Sequence, residues 1–385
     1  MTEAVPAPTS APAKPTGGLE GVVAAKSDIC FIDGVAGRLV YRGYEIGDLV
    51  ENVSFEECAY LLWDGTLPNR QQLQTLRSQF AASEVLPKHV LTILSALPPK
   101  TQPMDALRTA VSALSSIDPD LTSNEPDADR RKAIRLTSQL PTLVTTFHRL
   151  RTGQQPIAPD PSLSIAANFL YTLTGKVPHD TLTRVMDAAL VLHAEHGMNA
   201  STFAARVIAA TLADTHAAVT GALGALKGPL HGGANQDVME LLLTCKDAND
   251  AEQKVRGMLA NKQKVPGFGH RVYKTFDPRA TFLQKMSRQL GEAAGNTKWY
   301  EMSERLIGVA KEGKNLNPNV DFFSASTYYT MGIPLDLFTP IFAIARVAGW
   351  TAHIMEQHRN NRIIRPTDDY TGPMGLKTIP IDQRP

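Results

Sequence analysis

Apolar residues recur at intervals of three and four along most of the chain, whereas strand-like patterning occurs once, near the start. Segments with that period bury a stripe against one another, so the pattern predicts a mainly α fold. Helices are expected over 55–63, 71–83, 106–117, 133–150, 164–173 and 181–194, with polar loops at 118–129 and 152–161. The β signal is Cys30-Phe31-Ile32, then Asp33-Gly34-Val35-Ala36-Gly37, then Leu39-Val40-Tyr41, which reads as a short N-terminal β-hairpin around a glycine-rich turn. Thr339-Pro340 and Asp277-Pro278 place a capping side chain before a residue that needs no N–H, and each opens a helix, the first reaching about His358. Asp321 can cap another. The longest apolar tract, 204–226, contains Arg206, Asp214 and His216 and reads as a buried helix rather than a membrane span.

A chain of 385 residues has room for two or three domains and a large core. Its 39 Lys and Arg nearly cancel its 38 Asp and Glu, which disfavours nucleic acid or an anionic membrane surface as a main partner. Cys30, Cys58 and Cys245 lie far apart with no Cys-x-x-Cys pair, so a reducing, cytoplasmic setting is expected, with neither disulfides nor structural zinc. The first eighteen residues, rich in Pro, Ala, Ser and Thr, bury too little to order themselves and read as a tail, with a lead-in to residue 27. The tail carries no secretory or transit signal.

Most familiar catalytic signatures are missing. The chain has no Gly-x-x-x-x-Gly-Lys-Ser/Thr loop and no Gly-x-Ser-x-Gly elbow, and Gly267-Phe268-Gly269 has neither a third glycine nor a preceding strand. His193 and His196 are spaced to share a helix face, but no carboxylate or cysteine cluster joins them as metal ligands. Polar residues instead stand where apolar sequence would be expected. His196 sits in Glu195-His196-Gly197, and His231 lies in Gly228-Pro229-Leu230-His231-Gly232-Gly233 between two apolar helices. A helix starting near Gly232 would turn free N–H groups towards His231 and favour a neutral imidazole, although such a histidine can equally just cap or pack. His270, Arg271, Lys274 and Arg279 gather donors for a carboxylate or phosphate beside Gly267 and Gly269, unless they form a solvated basic turn. Arg346 interrupts the apolar run Ile341-Phe342-Ala343-Ile344-Ala345 and needs an anion or an acidic partner. Asp321 on its own fits a helix cap better than a base.

Taken together, Leu230-His231-Gly232-Gly233-Ala234-Asn235, Gly267-Phe268-Gly269-His270 with Asp277-Pro278-Arg279, and Asn319-Val320-Asp321 resemble the three signature segments of the citrate synthase family, in order. The resemblance runs from about Asp28 to the C-terminus. It implies a citrate synthase-like fold: a large helical domain from residues 28–232 and 333–385, and an inserted smaller helical domain, 233–332, that closes over the active site. It also implies condensation of acetyl-CoA with oxaloacetate, with no cofactor beyond acetyl-CoA as substrate. His231, His270 and Asp321 would be catalytic, and His196, Arg279, Arg346 and Arg365 would bind oxaloacetate or citrate. Lys264, Val265, Gly267, Gly269, Lys274 and Asn319 would contact CoA. The family implies a homodimer in which Arg365 reaches the partner's site, with dimers able to associate further. The start lacks the long β-rich extension of NADH-inhibited members, so NADH control is not expected. The same constellation would serve a 2-methylcitrate synthase using propionyl-CoA. Readings from other classes are a non-catalytic protein that binds dicarboxylate or CoA, and a thioester hydrolase, which lacks its nucleophile elbow.

Overall fold

The computed structural model describes residues 18–19 and 21–384, so the expected tail lies, apart from Gly18, outside the described residues. The hairpin forms as β1 (Cys30–Asp33) and β2 (Arg38–Tyr41), antiparallel with Cys30 opposite Tyr41, and a short β3 (Tyr44–Glu45) extends it to a three-stranded sheet. Asp33 Oδ1 accepts from the amides of Val35 and Ala36 and so shapes the turn. Tyr41 anchors the sheet to the helical body by donating its hydroxyl to the carbonyl of Glu195 at 2.7 Å.

The remainder is helical. First come α1 (Ile46–Asn52), α2 (Phe55–Asp64), α3 (Arg70–Ser83), α4 (Lys88–Ala96), α5 (Pro103–Leu114), α6 (Pro126–Arg151), α7 (Ile165–Thr174) and α8 (Asp180–His193). Capping boxes, Ser54 with Glu57 and Asn69 with Gln72, fix the starts of α2 and α3 by satisfying free amides on both sides of the cap. Helix α6 begins inside the segment expected as a loop to residue 129, because Pro126 supplies a first-turn residue with no amide to satisfy.

The apolar tract at 204–226 is not one helix. It divides into α9 (Ala200–Ala209) and α10 (Thr215–Leu226), separated by a turn in which Leu212 adopts φ 63°. Asp214, read as an interruption of a helix, starts α10 by accepting from the amide of Ala217. Then follow α11 (Ala234–Leu243), α12 (Ala248–Ala260), α13 (Pro278–Ala293), α14 (Lys298–Lys314), α15 (Val320–Thr330) and α16 (Phe338–Arg359). Helices α11 to α15 pack chiefly on one another and meet the rest through α11 against α16 and α13 against α1 and α8.

Helix α16 is the axis of the larger body and packs against α2, α5, α6, α8, α9 and α10. Its start differs from expectation: Leu337 is the cap residue, and Thr339 instead donates its hydroxyl to the carbonyl of Gly232 at 2.9 Å. The segment Leu335–Arg359 is long and apolar enough to cross a membrane, yet its apolar window is wholly buried in the protein. Trp63 donates its indole N–H to Thr351 Oγ1 at 2.9 Å, tying α2 to this axis. The core leaves no room for a side chain at Gly349, where a Cβ would stand 2.2 Å from Glu195 Oε2 and 2.4 Å from the carbonyl of Ala194. Gly349→Ala therefore forces α16 and the α8–α9 corner apart, with an expected loss of about 1–3 kcal/mol, read as a lower denaturant midpoint.

Candidate active site

A cleft of about 1010 Å³ opens where the α8–α9 corner, the α10–α11 turn, the 264–272 loop and the starts of α13, α15 and α16 converge. It is lined by His196, His231, His270, Asp321, Arg279 and Arg346, together with Lys264, Gly267, Gly269 and Asn319. Val265 is buried between two lining residues, while Lys274 and Arg365 are exposed and do not line it.

His231 lies between α10 and α11, and α11 starts at Ala234, slightly later than expected, with Gly233 at its cap. His231 Nε2 is 3.3 Å from the Ser201 amide, which can only donate, so this nitrogen presents its lone pair and the proton resides on Nδ1. Ser201 Oγ, 2.8 Å from the same nitrogen, is held by the Trp350 indole N–H at 3.1 Å. Burial, with the Arg346 charge, pushes the imidazole down to about 4, so it is neutral at pH 7.

The opposite tautomer holds at His270. Its Nδ1 accepts from the amides of Val272 at 3.0 Å and Tyr273 at 3.1 Å, which puts the proton on Nε2. Burial and then the Arg279 charge push this histidine also down to about 4. His196 packs edge-on to His270 with ring centres 5.2 Å apart, and its Nε2 is 3.2 Å from the Tyr273 hydroxyl. Burial, reinforced by Arg279, keeps it well below the usual histidine range. His193 donates from Nδ1 to the carbonyl of Ala189 at 2.7 Å, and no cluster of three or more His, Cys, Asp or Glu suited to a metal occurs among the described residues.

Asp321 is not the cap of its helix. Asn319 takes that place, accepting from the Asp321 amide at 3.0 Å and donating its side-chain N–H to the carbonyl of Gly269 at 3.0 Å. Amides of Gly269 and Asn319 bond across to Asn317 and Gly267, so the glycine loop and the start of α15 form one unit. The Asp321 side chain is thereby released from capping, and its Oδ1 is buried with no hydrogen-bond partner. Burial drives its carboxyl up to about 7, against the pull of Arg279. A base must be ionised to work, so kcat/KM should rise with pH through about 7 and fall about tenfold per unit below it. A pH–rate series checks this, and an acidic limb near 4, the ordinary carboxylate range, would mean that burial does not raise the working carboxyl.

The two arginines differ. Arg279 is clamped by Asp277 through Nε at 3.0 Å and Nη2 at 2.8 Å, and Asp277 Oδ2 also accepts from the Val320 amide at 3.1 Å. One carboxylate thus orients both a cleft cation and the helix start bearing Asp321. Arg346 donates Nε to the carbonyl of His193 at 2.8 Å and lies over Phe342, while its Nη2 is buried without a partner. Sequence reasoning gave Asp277 a helix cap and a place in a signature segment but no part in holding Arg279, and did not single out Ser201 or Trp350. Asp277 carried a usable signal, an acid two residues before an arginine; Ser201 and Trp350 carried none.

Neutral histidines with opposite tautomers, a carboxylate titrating near neutrality and an unsatisfied guanidinium suit removal of a weakly acidic proton beside an anionic ligand. Comparisons with known proteins agree. Residues 18–367 match the family model described as citrate synthase, C-terminal domain. The chain is 49% identical to citrate synthase 2 of Bacillus subtilis, over 96% of this chain and 99% of that one. It is 42% identical to 2-methylcitrate synthase 1 of Corynebacterium glutamicum, over 95% and 98%. The citrate synthase structure from Pyrobaculum aerophilum superposes with a TM-score of 0.91 at 36% identity, covering 100% of both chains. The citrate synthase from Thermoplasma acidophilum, in ternary complex with carboxymethyl coenzyme A and oxaloacetate, does so with a TM-score of 0.90 at 32% identity, covering 95% and 98%. With signature segments, fold and cleft all in accord, the chain belongs to the citrate synthase family and is an enzyme of its acyltransferase class.

Proposed function

We propose that this enzyme condenses acetyl-CoA with oxaloacetate and water to give citrate and free CoA. The observation that carries the reading is the buried, unpartnered Oδ1 of Asp321 in one cleft with two neutral histidines that can donate. Asp321 takes a methyl proton from the thioester while His231 Nδ1–H donates to the thioester oxygen as negative charge develops there. The resulting enol carbon attacks the oxaloacetate ketone, whose oxygen receives a hydrogen bond from His270 Nε2–H. Water then cleaves citryl-CoA, releasing citrate and the CoA thiol.

Arg346, Arg279 and His196 hold the dicarboxylate, and Lys264, Val265, Gly267, Gly269, Lys274 and Asn319 form the CoA side. The Thermoplasma enzyme, in its ternary complex, binds the same pair of ligand types, oxaloacetate and a CoA analogue. The segment 233–332 acts as the closing domain, which the mutual packing of α11 to α15 supports. Closure after oxaloacetate binds keeps water from the thioester, so acetyl-CoA should bind more tightly to the oxaloacetate complex than to free enzyme. The active unit is a homodimer whose Arg365 completes the partner's site; full activity in a proven monomer would contradict this. A cytoplasmic setting fits three free cysteines, two of them buried.

The decisive assay is thiol release from acetyl-CoA with and without oxaloacetate, repeated with propionyl-CoA. Release that requires oxaloacetate and is fastest with the acetyl thioester supports the reading. Faster release with the propionyl thioester would assign the chain to the 2-methylcitrate synthases, a choice that one methylene of pocket fit decides at about 1–3 kcal/mol.

A further inference from the structure

The N-terminal hairpin turn touches the loop that carries His270. The Lys274 amide donates to the carbonyl of Gly34 at 2.8 Å. A Cβ on Gly34 would stand 2.3 Å from the Val272 carbonyl oxygen and 2.9 Å from its carbon, so two backbones meet where no side chain fits. At the far end of the turn, a Cβ on Gly37 would lie 2.8 Å from Thr275 Cγ2 and 3.2 Å from the carbonyl of Phe276. Residues 272 and 273 are the ones whose amides fix the His270 ring. The hairpin itself is tied to the larger body through Tyr41 and the α8–α9 corner.

We propose that the Asp33–Gly37 turn is a backbone clasp on the His270 loop, with Gly34 as a positioning residue that holds the Val272 and Tyr273 amides on His270 Nδ1 and so presents Nε2–H to the substrate. The loop needs such a hold. Apart from Tyr273, its residues from Arg271 to Thr275 are exposed, and a short loop of this kind does not by itself keep two amides converged on one ring nitrogen. The inference rests on the role assigned to His270 above, but its geometry is testable without substrate.

Two variants test it. Gly34→Ala pushes the turn off Val272, and Asp33→Ala removes the acceptor that shapes the turn while leaving the core untouched. Val35→Ala, at an 80% exposed residue of the same turn, is the control. Three quantities are read: turnover, the imidazole ¹⁵N spectrum of selectively labelled protein with His270 assigned through His270→Gln, and hydrogen exchange at the Lys274 amide. In Gly34→Ala, kcat should fall by about 10- to 100-fold with a smaller change in KM for acetyl-CoA, as expected for a misplaced donor. The His270 spectrum should change from one Nε2–H tautomer to a mixture, and Lys274 exchange should accelerate, with the melting temperature within about 2 °C of the parent. Asp33→Ala should show the same changes in smaller measure, and Val35→Ala none. An unchanged His270 tautomer and unchanged Lys274 protection in both turn variants would overturn the clasp. Should the parent enzyme release no thiol, the proposed reaction fails, and the ring spectrum and amide exchange still decide the clasp.

Discussion

Asp321→Asn is expected to lower oxaloacetate-dependent thiol release by about 100- to 10,000-fold, the range spanned by a positioned general base, while oxaloacetate affinity stays within a few-fold. The separation follows from placement. Asp321 makes no ion pair with Arg279 or Arg346, and the Arg279 guanidinium is held by Asp277 whether or not Asp321 is charged. Calorimetric titration with oxaloacetate and the thiol assay together check it; near-normal turnover would remove Asp321 as the base. A second signature comes from stability. The carboxyl is raised to about 7 in the folded protein from an ordinary value of 3.8, so its contribution is fully present below about 4 and is lost as pH rises through 7. Asparagine suffers no such loss. The variant should therefore melt higher than the parent at pH 8 and close to it at pH 4, a gain at a catalytic residue that a purely structural aspartate would not give.

The helices and three histidine-bearing motifs were legible because both are local. A stripe of apolar residues every three to four positions needs no tertiary knowledge, and neither does the costly insertion of Arg346 into an apolar run. What failed was choice among local solutions. Asp321 and Thr339 both had capping chemistry, but Asn319 lies two residues upstream of the first, and the carbonyl of Gly232 drew the hydroxyl of the second. The break between α9 and α10 was misread because Asp214 in apolar sequence looks like a buried exception until the chain turns at Leu212. The histidine tautomers were beyond reach altogether. They depend on the Ser201 amide, 30 residues from His231, and on where a loop places two amides around His270. Sequence pattern could name the histidines, but the nitrogen that carries each proton is a tertiary fact.

Arg346→Met should reverse the pattern of Asp321→Asn, with oxaloacetate affinity falling by about 30- to 5,000-fold, or about 2–5 kcal/mol, and folding stability maintained or improved. Its guanidinium is buried, carries an unsatisfied Nη2, and is pushed down by burial despite the Glu195 charge. An unpaired buried cation destabilises the empty protein, and a dicarboxylate that completes its hydrogen bonds relieves the strain only on binding. Methionine keeps much of the volume and loses one bond, to the carbonyl of His193. Arg279→Met makes the contrast, since it leaves Asp277 as an unpaired carboxylate at 1% exposure, still bonded to the start of α15. That variant should lose about 3–5 kcal/mol of stability as well as affinity. Urea midpoints and oxaloacetate titrations on the two variants thus separate a cation kept for ligand from one already matched within the protein. Parent-like affinity in Arg346→Met would place the dicarboxylate elsewhere in the cleft, against the Arg279 guanidinium edge that Asp277 does not occupy.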